Sequence, residues 1–486
     1  MLFSDSSITR IDRERVVILG SSWADYTLAR KLDPQKYSRT IISPRSYFVF
    51  TPLLASTAVG TLEFRATLES VRRLGLDAFH QGWADKIDFA NKKVRVEANT
   101  ADEFSSQMFP AVDCASMGVL EQRPGKGAVF DVQFDKLVIA VGCYSQTFGI
   151  EGVKYHANFL RDVGDARRIR QRVLQCFEKA ATPVANTEQK ENLLHFAIVG
   201  GGPTGVEFAA ELHDLVHDDL SKDYPDLMPF VKITVYDVVP RVLPMFDKQL
   251  SNYALDRFAR EGIEVKTAHH IQSIRPDDDI QGGFKLKIKE VPDKEIGVGI
   301  VVWSTGLMQN PFVQHLTDQV FTYSADSSSS AQRGPFKVLK DPKTGGLLTD
   351  EHLRVRTATV SSSPASPSHP DSSTKVGTAG SPQSSRSLSP QGCLPFVFAI
   401  GDCAVFENRP LPATAQVANQ KAIWLANHLN RGDWAHERFE FNNLGAMAYI
   451  GDWKAIKQGG ESNRRVMKGW LVWVIWRAAY LNMSVS

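Results

Sequence analysis

Three glycines stand at the spacing Gly200-x-Gly202-x-x-Gly205, after the apolar run Phe196-Ala-Ile-Val199 and before the helix-forming run Val206-Glu-Phe-Ala-Ala-Glu211. A strand, a glycine turn and a helix in that order make a seat for a dinucleotide diphosphate. Gly200 makes the tight turn, Gly202 lets the backbone approach the phosphates, and Gly205 lets the helix pack on the strand while its free N–H groups face the anion. A second apolar run, Lys232-Ile-Thr-Val-Tyr-Asp237, ends in an acid suited to an adenosine ribose hydroxyl. Between them Leu212, Leu215, Val216 and Leu220 keep the spacing of a crossover helix.

The elements around this turn are repeated at the front of the chain. Arg15-Val-Val-Ile-Leu-Gly20 reads as a buried strand and Ser22-Trp-Ala-Asp-Tyr-Thr-Leu-Ala-Arg30 as the start of a helix. Here only Gly20 keeps the glycine code, because Ser22 and Asp25 hold the second and third glycine positions. A serine Cβ narrows the approach to a diphosphate, and Asp25 brings a negative charge toward it; equally, Asp25 is an ordinary acid in a first helical turn. On this segment alone a nucleotide seat and a plain helix start are matched. If the charge acts as a repulsion, replacing Ser22 and Asp25 together by glycine tightens cofactor retention.

The chain has 486 residues, 43% of them apolar, enough for two or three domains. Its 56 basic and 54 acidic side chains leave a formal charge of +2, which gives no argument for a nucleic-acid partner. Cysteines 114, 143, 176, 393 and 403 form no C-x-x-C pair, so neither a disulfide framework nor a zinc site is indicated, and no metal is expected. Asp277, Asp279 and Gly282 resemble a calcium loop, but Ile288 holds the position where a bidentate Glu is required. Met1 to Arg15 has no apolar signal core and makes no convincing mitochondrial presequence.

Two further strands end in glycine, Phe134 to Gly142 and Leu394 to Gly401-Asp402, and Gly299-Ile-Val-Val-Trp-Ser-Thr-Gly306 closes the inner unit. The expected fold is therefore α/β, with two Rossmann-like domains, an FAD domain interrupted by an NAD(P)H domain, and a short C-terminal membrane-associating region. The expected division is an FAD-binding first part over 1–165, an NAD(P)H-binding domain over 166–312, the FAD-binding second part over 313–430, and the C-terminal region over 431–486. Ser/Pro-rich stretches at about 324–332 and 361–392 read as a flexible insertion.

With these pieces in place the chain resembles the type II, non-proton-pumping NADH:ubiquinone oxidoreductases, most like the fungal mitochondrial members, within the two-dinucleotide pyridine nucleotide-disulfide oxidoreductase superfamily. The resemblance runs from about Arg15 to Ser486 apart from the serine-rich insertion. It is carried by Ser43-Pro-Arg-Ser-Tyr-Phe-Val-Phe-Thr-Pro-Leu-Leu54, Val59-Gly-Thr-Leu-Glu-Phe-Arg65, Gly200 to Glu207, Val301-Val-Trp-Ser-Thr-Gly-Leu-Met-Gln-Asn-Pro311, Gly401-Asp402 and Ala415-Gln-Val-Ala-Asn-Gln420. It implies FAD and NADH as cofactors, ubiquinone as acceptor, peripheral attachment to the mitochondrial inner membrane, and a homodimer as one arrangement of subunits. It also implies cofactor contacts from Gly20, Ser22, Trp23, Ala24, Ser43, Pro44, Arg45, Thr51, Gly142, Gly306, Gly401, Asp402, Gln416, Val417 and Ala418. By the same resemblance Glu207 sits close to the nicotinamide, and Gln416 and Gln420 line the tunnel where quinone meets the isoalloxazine.

The residues agree where they can be checked. Gln416 and Gln420 lie four apart on one face of a good helix-forming run, so both amides can face one cavity. Hydride transfer requires no acid–base pair, since the two cofactors carry the chemistry. Asp237 repels a 2′-phosphate whereas Arg241 attracts one, and the balance favours NADH over NADPH. Arg464, Arg465 and Lys468 lead into Trp470, Trp473 and Trp476 in an apolar run interrupted by Arg477, which suits a membrane surface and is too short to span one; a buried helix is the competing reading. Family members continue beyond this point, so the C-terminal region reads as shortened. Two other functions stay open from sequence: a different soluble FAD/NAD(P)H oxidoreductase of the apoptosis-inducing-factor type, and a catalytically impaired NADH-binding relic.

Overall fold

The computed structural model describes residues 13–99, 126–322, 334–360, 388–433, 436–460 and 465–485. Cys114, the stretch 324–332 and residues 361–387 fall outside them. At the centre of the larger sheet, strands Leu388–Ala399, Lys136–Ile139, Glu14–Leu19, Tyr37–Ser43 and the start of Ala78–Asp88 run parallel. Antiparallel strands extend it on both sides, through Lys93–Asn99 and Lys126–Gln133 at one edge and Arg354–Val360 and Leu347–Thr349 toward the other. Val16 to Leu19 and Leu137 to Ile139 are fully buried, the continuous apolar pattern of strands covered on both faces. Helices Trp23–Lys31 and Ala415–Arg431 pack side by side on this sheet, joined by Thr27 Oγ1 donating to Asn419 Oδ1 at 2.8 Å.

A second, fully parallel sheet is inserted between the two halves of the first. Its order is Asn158–Phe159, Ile300–Trp303, His195–Val199, Lys232–Tyr236 and Glu264–Lys266. The expected boundaries near 165, 312 and 430 all fall inside helices, Val163–Ala180, Pro311–Asp318 and Ala415–Arg431. Near 165 and 312 the chain is at a helix start, and near 430 it is at a helix end capped by Gly432. The strand Leu388–Ala399 also starts inside the stretch read as flexible to 392, because backbone pairing with Arg354–Val360 overrides its Ser/Pro composition.

His195 ties the central strand of the inserted sheet to its neighbours. Its Nδ1 donates to Gly297 O at 3.0 Å and its Nε2 accepts from Thr234 Oγ1 at 2.9 Å, the tautomer that satisfies both. Burial lowers the ring from 6.5 to about 4. Between those values the unfolded chain binds a proton that the folded chain does not, so stability falls as pH falls through this window. Denaturant midpoints for wild type and His195→Gln are expected to converge on acidification from pH 6.5 to pH 4, the ring contributing roughly 3 kcal/mol of the wild-type loss. Parallel profiles would contradict this account of the ring.

Candidate active site

In the inserted sheet, the turn after His195–Val199 has the geometry that its glycines demand. Gly200 has φ +116°, and a side chain on Gly205 would place its first carbon 1.9 Å from the Gly200 carbonyl oxygen. Nothing stands within 4 Å of the equivalent position at Gly202, so the backbone there is open to a ligand. The helix Pro203–Leu215 starts with proline, has no side-chain cap and carries no acid in its first turn, which leaves its N–H groups for an anion. Asp237 lies at the end of the neighbouring strand as expected. Its carboxylate accepts the Gly201 N–H, and the Val239 N–H at 3.0 Å, so it braces the glycine loop. Nη2 of Arg241 donates to Pro244 O at 2.7 Å and to Phe246 O at 3.3 Å.

The first unit forms a similar turn. Gly20 has φ +130° and donates to Ile42 O at 2.8 Å. Ser22 has φ −103° and ψ −153°, extended backbone open to any residue, so the lost second glycine costs only the volume of a hydroxymethyl group. Ser43, in the place of a ribose-binding acid, donates through Oγ to Ser21 Oγ at 2.8 Å and accepts the Arg45 N–H. Trp23 Nε1 donates to Thr51 Oγ1 at 3.0 Å while its ring packs against Phe48 and Phe50. Arg45 forms an ion pair with the buried Asp162 at 2.9 Å, and Tyr47 donates to the same carboxylate at 3.1 Å. Asp162 is a site residue that the sequence reading missed. Its signal was present in the Asp162-x-x-Asp165 capping box that starts the helix Val163–Ala180.

The first turn and, in the inserted unit, the helix start that follows Gly202 border one cavity of about 980 Å³; Gly200, Gly202 and Gly205 themselves do not line it. From the first unit and its continuation it is lined by Gly20, Ser22, Trp23, Ala24, Ser43, Pro44, Arg45, Thr51, Gly142, Gly401, Asp402 and Ala418; from the inserted unit by Pro203, Thr204, Glu207, Trp303 and Gly306. Gly401, at φ +76°, brings its backbone against Ala24, whose Cβ would stand 3.4 Å from a side chain there. Asp402 lies 4.0 Å from Arg161; burial raises its carboxyl, and Arg161 opposes that rise. Cys143 donates to Asp402 O at 3.1 Å, and burial pushes its thiol up, so it holds its proton and is no thiolate. Lys421, unforeseen from sequence, is 1% exposed, with its ammonium 4.5 Å from the Phe406 ring centre. Burial lowers it to about 8, against the pull of Cys403 and Asp402.

Glu207 lies in the second turn of the helix Pro203–Leu215. Its carboxyl accepts the Tyr449 N–H at 3.1 Å, and burial raises it to about 8, so at neutral pH it carries a proton. One turn on, Glu211 accepts from Ser56 Oγ at 2.5 Å and Thr61 Oγ1 at 2.9 Å. Gln416 and Gln420 share one helix face, but neither amide is turned to the cavity. Gln416 accepts the Leu444 N–H at 3.1 Å and donates to Gly445 O, and Gln420 exchanges two hydrogen bonds with the Asn442 backbone at 2.8 and 3.0 Å. Neither residue lines this cavity, and both hold residues 442–445. Val417 is buried in the helix packing and does not line the cavity, whereas Ala418 does.

The C-terminal region is an antiparallel sheet, Ala446–Tyr449, Ala455–Gln458 and Val466–Gly469, followed by the helix Trp470–Val485. Val472 and Trp476 are buried, Trp476 stacked on Tyr449, while Trp453, Trp470, Leu471 and Val474 are exposed. Among the described residues no helix is long and apolar enough to cross a membrane. One face of this helix is thus buried and another is exposed.

Fold and site define an oxidoreductase with two dinucleotide seats facing one cavity. Residues 14–322 match the pyridine nucleotide-disulphide oxidoreductase family, and the chain belongs to it. It is 33% identical over 480 residues, 97% of this chain and 86% of the relative, to a probable NADH dehydrogenase of Dictyostelium discoideum. It is 30% identical over 524 residues, 98% of this chain and 80% of the relative, to a probable mitochondrial NADH-ubiquinone oxidoreductase of Schizosaccharomyces pombe. The solved NDH2 of Plasmodium falciparum in complex with NADH shares the fold, with a TM-score of 0.73 at 22% identity over 98% of this chain and 95% of that one.

Proposed function

We propose that this protein is a type II NADH:ubiquinone oxidoreductase, passing two electrons from NADH through FAD to ubiquinone at the surface of the mitochondrial inner membrane. One observation carries the reading: the glycine turn of the first unit and the helix start that follows the glycine turn of the second border the same cavity, which lets two dinucleotides meet by their reactive ends. The relatives named as NADH dehydrogenase and as mitochondrial NADH-ubiquinone oxidoreductase support the donor, the acceptor and the compartment.

The first seat suits FAD because its backbone can approach a diphosphate at Gly20 to Ala24 and the cavity beyond is large. When bound, FAD supplies an acceptor for hydride and a donor for quinone. Gly20, Ser22, Trp23 and Ala24 hold its diphosphate, Asp402 its ribityl hydroxyls, and Ser43, Pro44, Arg45 and Thr51 the adjoining wall. The start of the helix Ala415–Arg431, with Ala415 and Ala418 at the cavity, presents the positive end of its dipole there. Gly200, Gly202 and Gly205 hold the NADH diphosphate, and Glu207 keeps a proton at its carboxyl beside the nicotinamide end. Gln416 and Gln420 fix residues 442–445 and so shape the route by which quinone enters. Membrane attachment is through the exposed apolar face of the C-terminal helix, with Arg465 and Lys468 beside it.

The test is steady-state oxidation of NADH and NADPH with a soluble ubiquinone analogue. NADH is expected to be preferred at least about tenfold in kcat/KM, since Asp237 stands at the ribose end and Nη2 of Arg241 is held by backbone carbonyls. Rapid reduction of the flavin with no quinone turnover would remove the quinone assignment.

A further inference from the structure

The carboxyl of Asp25 is the one part of the first seat left unused above. It is completely buried, stands in the first turn of the helix Trp23–Lys31 and borders the cavity. A side chain on Gly20 would meet Asp25 Oδ2 at 2.0 Å, so this oxygen is pressed against the turn itself. Oδ1 accepts the Tyr26 N–H at 3.2 Å; Oδ2 is shielded from solvent and has no hydrogen-bond partner among the described residues. A carboxylate oxygen held that way is costly, and protonation is the way to relieve it. Burial accordingly raises the group to about 7, although the Ser22 N–H and the Arg45 charge pull it down.

The surroundings offer little to compensate a second negative charge. From the strand Glu14–Leu19 and the strand Lys136–Ile139, Glu14 and Lys136 lie at the far ends, paired with each other at 2.6 Å. From the loop after Ser43, Arg45 is engaged by Asp162 at 2.9 Å. The helix Ala415–Arg431 contributes Lys421, turned to Ala404 O, and the remaining acids lining the cavity are Asp85, Glu97, Asp402, beside Arg161, and Glu207. A diphosphate at this turn adds two negative charges close to Asp25. We propose that Asp25 links retention of the FAD diphosphate to a proton: the carboxyl is protonated whenever the diphosphate occupies the Gly20 turn, so the hold on the cofactor weakens as the solution becomes alkaline. This rests on placing FAD at the first seat. It also replaces the expectation of a plain repulsion, since the neutral acid repels nothing and only its ionised form opposes the cofactor.

The sign follows from linkage. The diphosphate raises the carboxyl above its cofactor-free value, binding then takes up a proton, and above that value the dissociation constant climbs about tenfold per pH unit. FAD has no diphosphate proton to lose in this range. Holoprotein diluted into buffers from mildly acidic to alkaline, with released FAD read by its fluorescence, is expected to show that slope above about pH 7. Asp25→Asn and Asp25→Ser are expected to give flat profiles. A flat wild-type profile, or a slope kept in the variants, overturns the proposal; where both variants lose FAD at every pH, the wild-type slope decides alone. Protein that carries no FAD at any pH removes the placement of the cofactor, a result distinct from FAD held with no pH dependence.

Discussion

Gly205→Val is expected to leave a yellow protein that NADH no longer reduces. The first carbon of the new side chain would stand 1.9 Å from the Gly200 carbonyl oxygen and 2.6 Å from Ser304 Oγ, and both partners are held by the turn. Ser304 donates to Val199 O at 3.1 Å, and Gly200 N–H to Tyr236 O at 2.8 Å, so neither can retreat without breaking the inserted sheet. The helix Pro203–Leu215 must therefore swing off its strand and carry its N–H donors away from the diphosphate. Overpacking of this kind costs about 1–3 kcal/mol, and the lost anion contacts add to it. Together they are expected to weaken NADH binding by at least about 100-fold. Dithionite should still bleach the flavin, because the first seat lies on the other sheet. A variant reduced by NADH at the wild-type rate would contradict the assignment of the two seats.

The second large effect concerns the C-terminal helix. Trp470 is 66% exposed, Leu471 52% and Val474 41%, an unusual display beside the buried Val472 and Trp476. Burying a large apolar side chain contributes about 1.5–3 kcal/mol, so the triple change Trp470→Ser, Leu471→Ser and Val474→Ser is expected to lower vesicle binding by more than about 100-fold. Sedimentation with anionic lipid vesicles measures it, with flavin content as the check on folding. Unchanged binding would place the membrane contact elsewhere. High salt is expected to weaken wild-type binding only in part, because Arg465 and Lys468 assist but the apolar side chains carry most of the attachment.

What was legible in the sequence was what local sterics dictate. The turn at Gly200 is fixed by its own glycines, and the alternation of strand and helix around it follows from apolar runs of the right length. The first seat was half legible: the code loses two glycines, yet the backbone at Ser22 is extended and never required one. Contacts made across long chain distances were not legible. Spacing put Gln416 and Gln420 on one face but held no information about residues 442–445, which the fold lays against that face. Asp25 reads as a helix-start acid until the sheet covers it, and nothing in its neighbours announces that Lys421 is buried.

The central claim is that two cofactors meet in one cavity and that the electrons go on to quinone. An anaerobic titration watched through the long-wavelength flavin band tests it most directly. The account predicts that one equivalent of NADH bleaches the band and that one equivalent of a soluble ubiquinone analogue restores it, with Gly205→Val blocking the first step only. Purified protein that shows no flavin band even after incubation with FAD, or a band that NADH leaves untouched while dithionite removes it, would contradict it.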